Sequence, residues 1–94
     1  MPDINLKVRT FSFAVAVGKL ILILPYSVVN GEYFRQLVRC SSSVGANFRA
    51  SQRAKSDNDF IHKLKIVEEE ADKCIYFLEL ILEFNPEFEL QFRR

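Results

Sequence analysis

Four arginines, a block of carboxylates, two cysteines and one histidine are the residues of this chain whose types and spacing could do chemistry. Arg35, Arg39, Arg49 and Arg53 lie at helical offsets that bring them within roughly 40° of one direction. They would form a stripe about 27 Å long, with Ser42 and Ala46 filling the gap along the same line. Glu68, Glu69, Glu70 and Asp72 form the opposing charge, and Glu68 and Asp72 repel at i,i+4 unless a cation comes from elsewhere. Arg39, Arg49 and Arg53 are therefore expected to pair with Glu68, Glu69 and Asp72, within the chain or between copies. Such pairs fix register more than they add stability. The alternative leaves Arg35, Arg39, Arg49 and Arg53 exposed as a basic surface for the phosphate backbone of RNA or DNA. No aromatic platform interleaves the stripe, so base-specific reading is not expected.

The remaining reactive residues do not converge. His62 is the only histidine and its i+4 neighbour is Ile66, so no metal pair forms on that helix face. A carboxylate metal bundle would need a Glu-x-x-His pair on a second helix, and none is present. Cys40 or Cys74 would need a base to act as a nucleophile, and His62 lies about 18 Å of helix axis from Cys74. Two cysteines are too few for a disulfide framework and read as small apolar residues in a reducing cytoplasm. No glycine loop of the kind that cradles phosphate is present. The expectation is a protein without catalytic residues, cofactor, metal or small-molecule substrate.

The elements that must position these groups are helices. Ninety-four residues with 49% hydrophobic content, nine Phe and three each of Gly and Pro suit one all-α domain spanning 1–94. Net charge is +1, with residues 1–55 at +6 and residues 56–84 at −5, so the chain can satisfy its charges internally. The apolar run Phe11 to Leu24 is interrupted by Lys19 and is too short to cross a bilayer. No cleavage site for a secretory signal follows it.

The spacing predicts three antiparallel helices at 4–24, 32–54 and 57–84. In the first, two adjacent apolar rows (Phe11, Val15, Leu22 and Phe13, Val17, Leu20, Leu24) imply more than one neighbour, while its β-branched run leaves a strand reading open. Tyr26 to Gly31 reads as a loop, with Asn30-Gly31 as a turn signal. The second helix presents Phe34, Leu37, Ser41, Gly45, Phe48 and Gln52 on one face. Ser41, Gly45 and Ala46 are small enough for close approach of another backbone. Ser56 caps the third helix, whose seam runs Phe60, Leu64, Val67, Ala71, Cys74, Leu78, Ile81 in four-three alternation. On its surface Glu69 and Lys73 are set for an i,i+4 pair. Asn85-Pro86-Glu87 reads as one more helix start, with Phe88, Leu90 and Phe92 alternating after it.

The stretch from Ser41 to Ile81 closely resembles a bacterial four-helix-bundle family first met as proteins encoded in intervening sequences of large ribosomal RNA genes. The residues that carry the resemblance are Arg39, Ser43-Val44-Gly45-Ala46-Asn47, Arg49-Ala50, Arg53-Ala54, Ser56, Asp59-Phe60-Ile61, Lys63-Leu64 and Ile66-Val67-Glu68-Glu69-Glu70-Ala71-Asp72. The resemblance implies an antiparallel up-down bundle, homo-oligomers with pentameric rings among relatives, and no enzymatic activity. A related branch assists retroelement reverse transcriptases through a basic surface that engages RNA. Relatives continue past the position of Pro86 into a full fourth helix, so a short or missing fourth helix is expected here. An apolar seam on the first and third helices would then face outward and call for a partner.

Overall fold

A computed structural model describes residues 5–88. It contains three α-helices, α1 (Leu6–Ile23), α2 (Val28–Ser51) and α3 (Asp57–Phe84), followed by a single 3₁₀ turn at Pro86–Phe88. No strand is present among the described residues, and the β-branched run of the first segment is helical. Position 4 and the expected alternation at Leu90 and Phe92 lie outside the described residues.

Each helix starts on a side-chain cap that satisfies one of its orphan N–H groups. Asn5 accepts from the Val8 N–H at 3.2 Å, Ser27 from Asn30 at 2.9 Å and Ser56 from Asp59 at 3.1 Å. Leu24 is extended (φ −86°, ψ 148°), as the Pro25 ring requires of the residue before it, and this ends α1. Asp59 adds a second contact at the start of α3, accepting from the Lys55 backbone N–H at 3.1 Å.

The second helix begins four residues earlier than the sequence suggests. Ser27 caps it, so Asn30 and Gly31 lie in its first turn and not in a loop. The turn signal fails because Asn30 has a tertiary use: its side chain is buried and hydrogen-bonded across the molecule.

The contacts show that consecutive helices run antiparallel. Along α2, Asn30 meets Asn85, Tyr33 meets Phe84 and Cys40 meets Cys74. The hinge at Lys55–Ser56 thus folds α3 back along α2. On the other side of α2, Gly45 faces Thr10 and Arg49 lies over Phe11. Helix α2 is central: α1 and α3 both pack on it and not on each other, giving a slab of 45 × 29 × 17 Å.

The core consists of Val17, Leu24, Phe34, Leu37, Cys40, Val44, Cys74 and Ile81, with Phe13, Leu20, Tyr33, Val67, Leu78 and Phe88 packed around it. Of the expected α3 seam, Cys74 and Ile81 are buried, Leu64, Val67, Ala71 and Leu78 are half-buried, and Phe60 at the first turn is exposed. A helix with a neighbour on either side buries more than one stripe, so α2 hides Cys40, Val44 and Ser51 beside the expected Phe34, Leu37 and Ser41. Gln52, expected on that face, is exposed beyond the end of the helix.

Asn85 does not start a new helix. It ends α3 and turns its amide back, donating to the Ile81 carbonyl at 2.7 Å and to Asn30 Oδ1 at 2.9 Å. Pro86 then opens only the 3₁₀ turn, closed by the Phe88 N–H on the Asn85 carbonyl at 3.0 Å.

Candidate functional site

The arginine stripe occupies the surface of α2, and Arg35, Arg39, Arg49 and Arg53 are all exposed. Its spread about the helix axis sends its members to different neighbours. Arg39 leans toward α3, where it lines a polar groove with Gln36, Cys40, Ser43, Glu70 and Lys73. Arg49 leans toward α1, with its guanidinium carbon 6.0 Å from the Phe11 ring centroid, a cation–π distance. Arg35 pairs with Glu32 one turn earlier on its own helix at 2.8 Å.

Pairing of Arg39, Arg49 and Arg53 with Glu68, Glu69 and Asp72 does not form within the chain. The ion pairs between described residues join neighbours on one helix: Arg35–Glu32, Lys63–Asp59 and Lys73–Glu70. Glu68, Glu69 and Asp72 are exposed on α3, while the carboxylate that shares the groove with Arg39 is Glu70. Lys73 reaches Glu70 at 3.0 Å, so the expected Glu69–Lys73 pair is replaced by an i,i+3 pair. The Glu70 hydrogen bond and charge hold the Lys73 ammonium above its ordinary pKa. Asp59 is held below the usual carboxylate value, first by its hydrogen bond to Lys63 and then by the Lys55 N–H.

The small residues divide the same way. Ser41 is buried, its hydroxyl donating to the Val38 carbonyl at 3.3 Å. A Cβ on Gly45 would stand 3.2 Å from Thr10 Oγ1 and 3.6 Å from its carbonyl carbon, so the backbone of α1 does approach closely here. Ala46 does not take part: it is exposed, one residue further round the helix, on the arginine side.

A second feature is apolar. Of the two rows on α1, Phe13, Val17, Leu20 and Leu24 turn inward, whereas Phe11 (59% exposed), Val15 and Leu22 (84% exposed) face outward. Between α1 and α3 runs an open groove of about 570 Å³, lined by Phe13, Ala16, Val17, Leu20, Ile23 and Leu78, with Lys19 at its edge. His62 is exposed on α3.

Sequence reasoning missed two groupings. One is the reciprocal amide pair of Asn30 and Asn85, with 2.9 Å in each direction and Asn30 also donating to the Pro25 carbonyl at 3.0 Å. The other is the aromatic cluster of Tyr33, Phe77 and Phe84, with centroid separations of 6.2 and 5.8 Å from Tyr33. The spacing of Tyr33 and Leu37 on α2 was the available signal for the second; nothing local marks the first.

The profile of the 23S rRNA-intervening sequence protein family matches residues 3–91. The chain belongs to that family. Its fold is similar to a crystal structure of a protein of unknown function from the S23 ribosomal protein family of Bacteroides thetaiotaomicron VPI-5482. The two share 34% identity and a TM-score of 0.70, over 83% of this chain and 72% of the other. No curated protein matches the chain. Among the described residues, no helix of this family member is long and apolar enough to cross a membrane.

Proposed function

We propose that this chain is a non-catalytic cytoplasmic assembly module whose principal partner is itself. The observation that carries the reading is the outward apolar row of α1, Phe11, Val15 and Leu22, continuous at Ile23 with the groove toward α3. A single chain leaves these side chains in water, and a second copy laid on them removes that apolar area at about 25 cal/mol per Å². The oligomer is a closed ring or pair, since an isologous or ring-closing contact uses this face once per chain. Arg39, Arg49 and Arg53 are then open to pair with Glu68, Glu69 and Asp72 of a neighbouring copy.

Sedimentation of the full chain tests this. A mass of several protomers is expected at micromolar concentration, and Leu22→Glu should reduce it to that of one protomer. A wild-type chain that stays monomeric at about 100 µM, a concentration equivalent to Kd values weaker than roughly 5–6 kcal/mol of association, would defeat the reading.

A second reading is favoured by the exposure of the four arginines and by the absence of α3 partners for Arg39, Arg49 and Arg53. In it, symmetry repeats the stripe into a basic surface that binds RNA or DNA by its phosphates. Filter binding at rising salt decides: a log–log slope of magnitude near the number of phosphates contacted supports it, and a slope near zero removes it.

A further inference from the structure

The two thiols meet although nothing in the chain's assembly requires them to. Cys40 and Cys74 lie 34 residues apart in sequence, yet their sulfurs are 3.3 Å apart across the α2–α3 seam. The Cys74 S–H donates to the Cys40 sulfur, while the Cys40 S–H faces the Leu37 carbonyl at 3.6 Å. Both residues are buried and free. Their surroundings differ. Cys40 forms part of the lining of the polar groove of about 480 Å³ that holds Arg39, Lys73 and Glu70, and Cys74 lies behind it. Arg39, Lys73 and Glu70 make the groove a polar approach to the Cys40 sulfur, and the thiolate is the form of a cysteine that reacts.

We propose that Cys40 and Cys74 are a reversible dithiol–disulfide pair, in which Cys40 is oxidised from the groove and Cys74 resolves it into a bond joining α2 to α3. The oxidant is a hydroperoxide small enough to enter the groove. The Cys40 thiolate attacks one peroxide oxygen, the O–O bond breaks, and hydroxide leaves as Cys40 becomes a sulfenic acid. The Cys74 sulfur then attacks the Cys40 sulfur. The S–O bond breaks, and the departing hydroxide takes the Cys74 proton as water. Overall two thiols and one hydrogen peroxide give one disulfide and two waters, the thiols losing two electrons. Burial and the hydrogen bond to Cys40 push Cys74 up to about 12, so Cys74 enters the second step as the thiol. The small-core role of the two side chains is unchanged by this; what it adds is a fixed cross-link over a 34-residue separation.

Treatment of the folded full-length chain with hydrogen peroxide, followed by alkylation in denaturant and intact-mass measurement, tests the pairing. Both thiols should be lost together in a monomeric product that dithiothreitol restores, with the melting midpoint raised by about 10 °C. Cys74→Ser should stop at one sulfenic acid on Cys40, trapped by dimedone, while Cys40→Ser reacts about tenfold more slowly. Should serine at the buried Cys74 unfold the chain, Cys74→Ala carries the same readout. Two thiols still alkylatable after peroxide has fully oxidised free glutathione alongside would overturn the proposal, as would a disulfide-linked dimer. Equal dimedone labelling of the two single variants would overturn the assignment of Cys40 as the residue oxidised first.

Discussion

The α2–α3 seam and the α1 face handle apolar and polar atoms in opposite ways. Along the seam Leu37, Cys74 and Ile81 are fully enclosed, and the amides of Asn30 and Asn85 are paired with each other. Across α1, large side chains face water on one side of the helix while the other side grips α2 at Gly45. The seam is complete within one chain; α1 is only half used by it. Burial inside a single chain therefore accounts for the hairpin, whereas it leaves Phe11, Val15, Leu22 and Ile23 of α1 in water.

Substitutions that break the seam should have the largest effects. Ile81→Ala removes a fully enclosed side chain and should cost about 2–5 kcal/mol, measured by urea unfolding. A cost below about 1 kcal/mol would mean that the seam collapses onto the gap and is not tightly packed. Gly45→Leu should cost more than about 2 kcal/mol, because the added atoms meet Thr10 and the α1 backbone. Gly18 on α1 is the counterpart, since a Cβ there meets nothing within 4 Å. Gly18→Ala should stabilise by about 0.5–1 kcal/mol through helix propensity. If the two glycines respond alike, α1 is not held at Gly45.

Asn30→Ala should cost about 1–3 kcal/mol by leaving the Asn85 amide buried without its partner. The double variant with Asn85→Ala should cost less than the sum of the singles, and additive behaviour would show that the pair does not act as a unit. Arg49→Glu should change stability by less than about 0.5 kcal/mol, because Arg49 is exposed and its described contact is the Phe11 ring. Smallest of all is the acid response at the α3 cap. The Asp59 carboxyl is held below its ordinary 3.8, so its contribution is present above that value and is lost as pH falls through the lower folded value. Lys63→Met should flatten that decline in a stability series between pH 5 and roughly 2.

Periodicity and capping residues made the helices legible. The third agrees with expectation from Asp57 to Phe84 because Ser56 and an apolar four-three alternation mark both its start and its buried side. Helix α2 was misplaced at its start because Asn30-Gly31 obeys two rules, and the local one, turn chemistry, yields to a tertiary hydrogen bond with a residue 55 positions away. The arginines are exposed on α2, but they spread around it, Arg39 toward α3 and Arg49 toward α1. Their partners were not legible, because charge blocks show that opposite signs exist and not that they face each other. Exposed ion pairs gain too little to rotate a helix against its apolar seam, so the seam decides and the charges take neighbours on their own helix.

The amide pair also carries information about alignment. Slid by a single turn, α3 would carry Asn85 about 5.4 Å past Asn30 and leave two dehydrated amides with nothing to bond. Leucine-type contacts tolerate such a slide far better, because one apolar neighbour replaces another. The two asparagines thus act as a latch at the open end of the hairpin, opposite its connecting loop, and reject misaligned hairpins that greasy surfaces alone would accept.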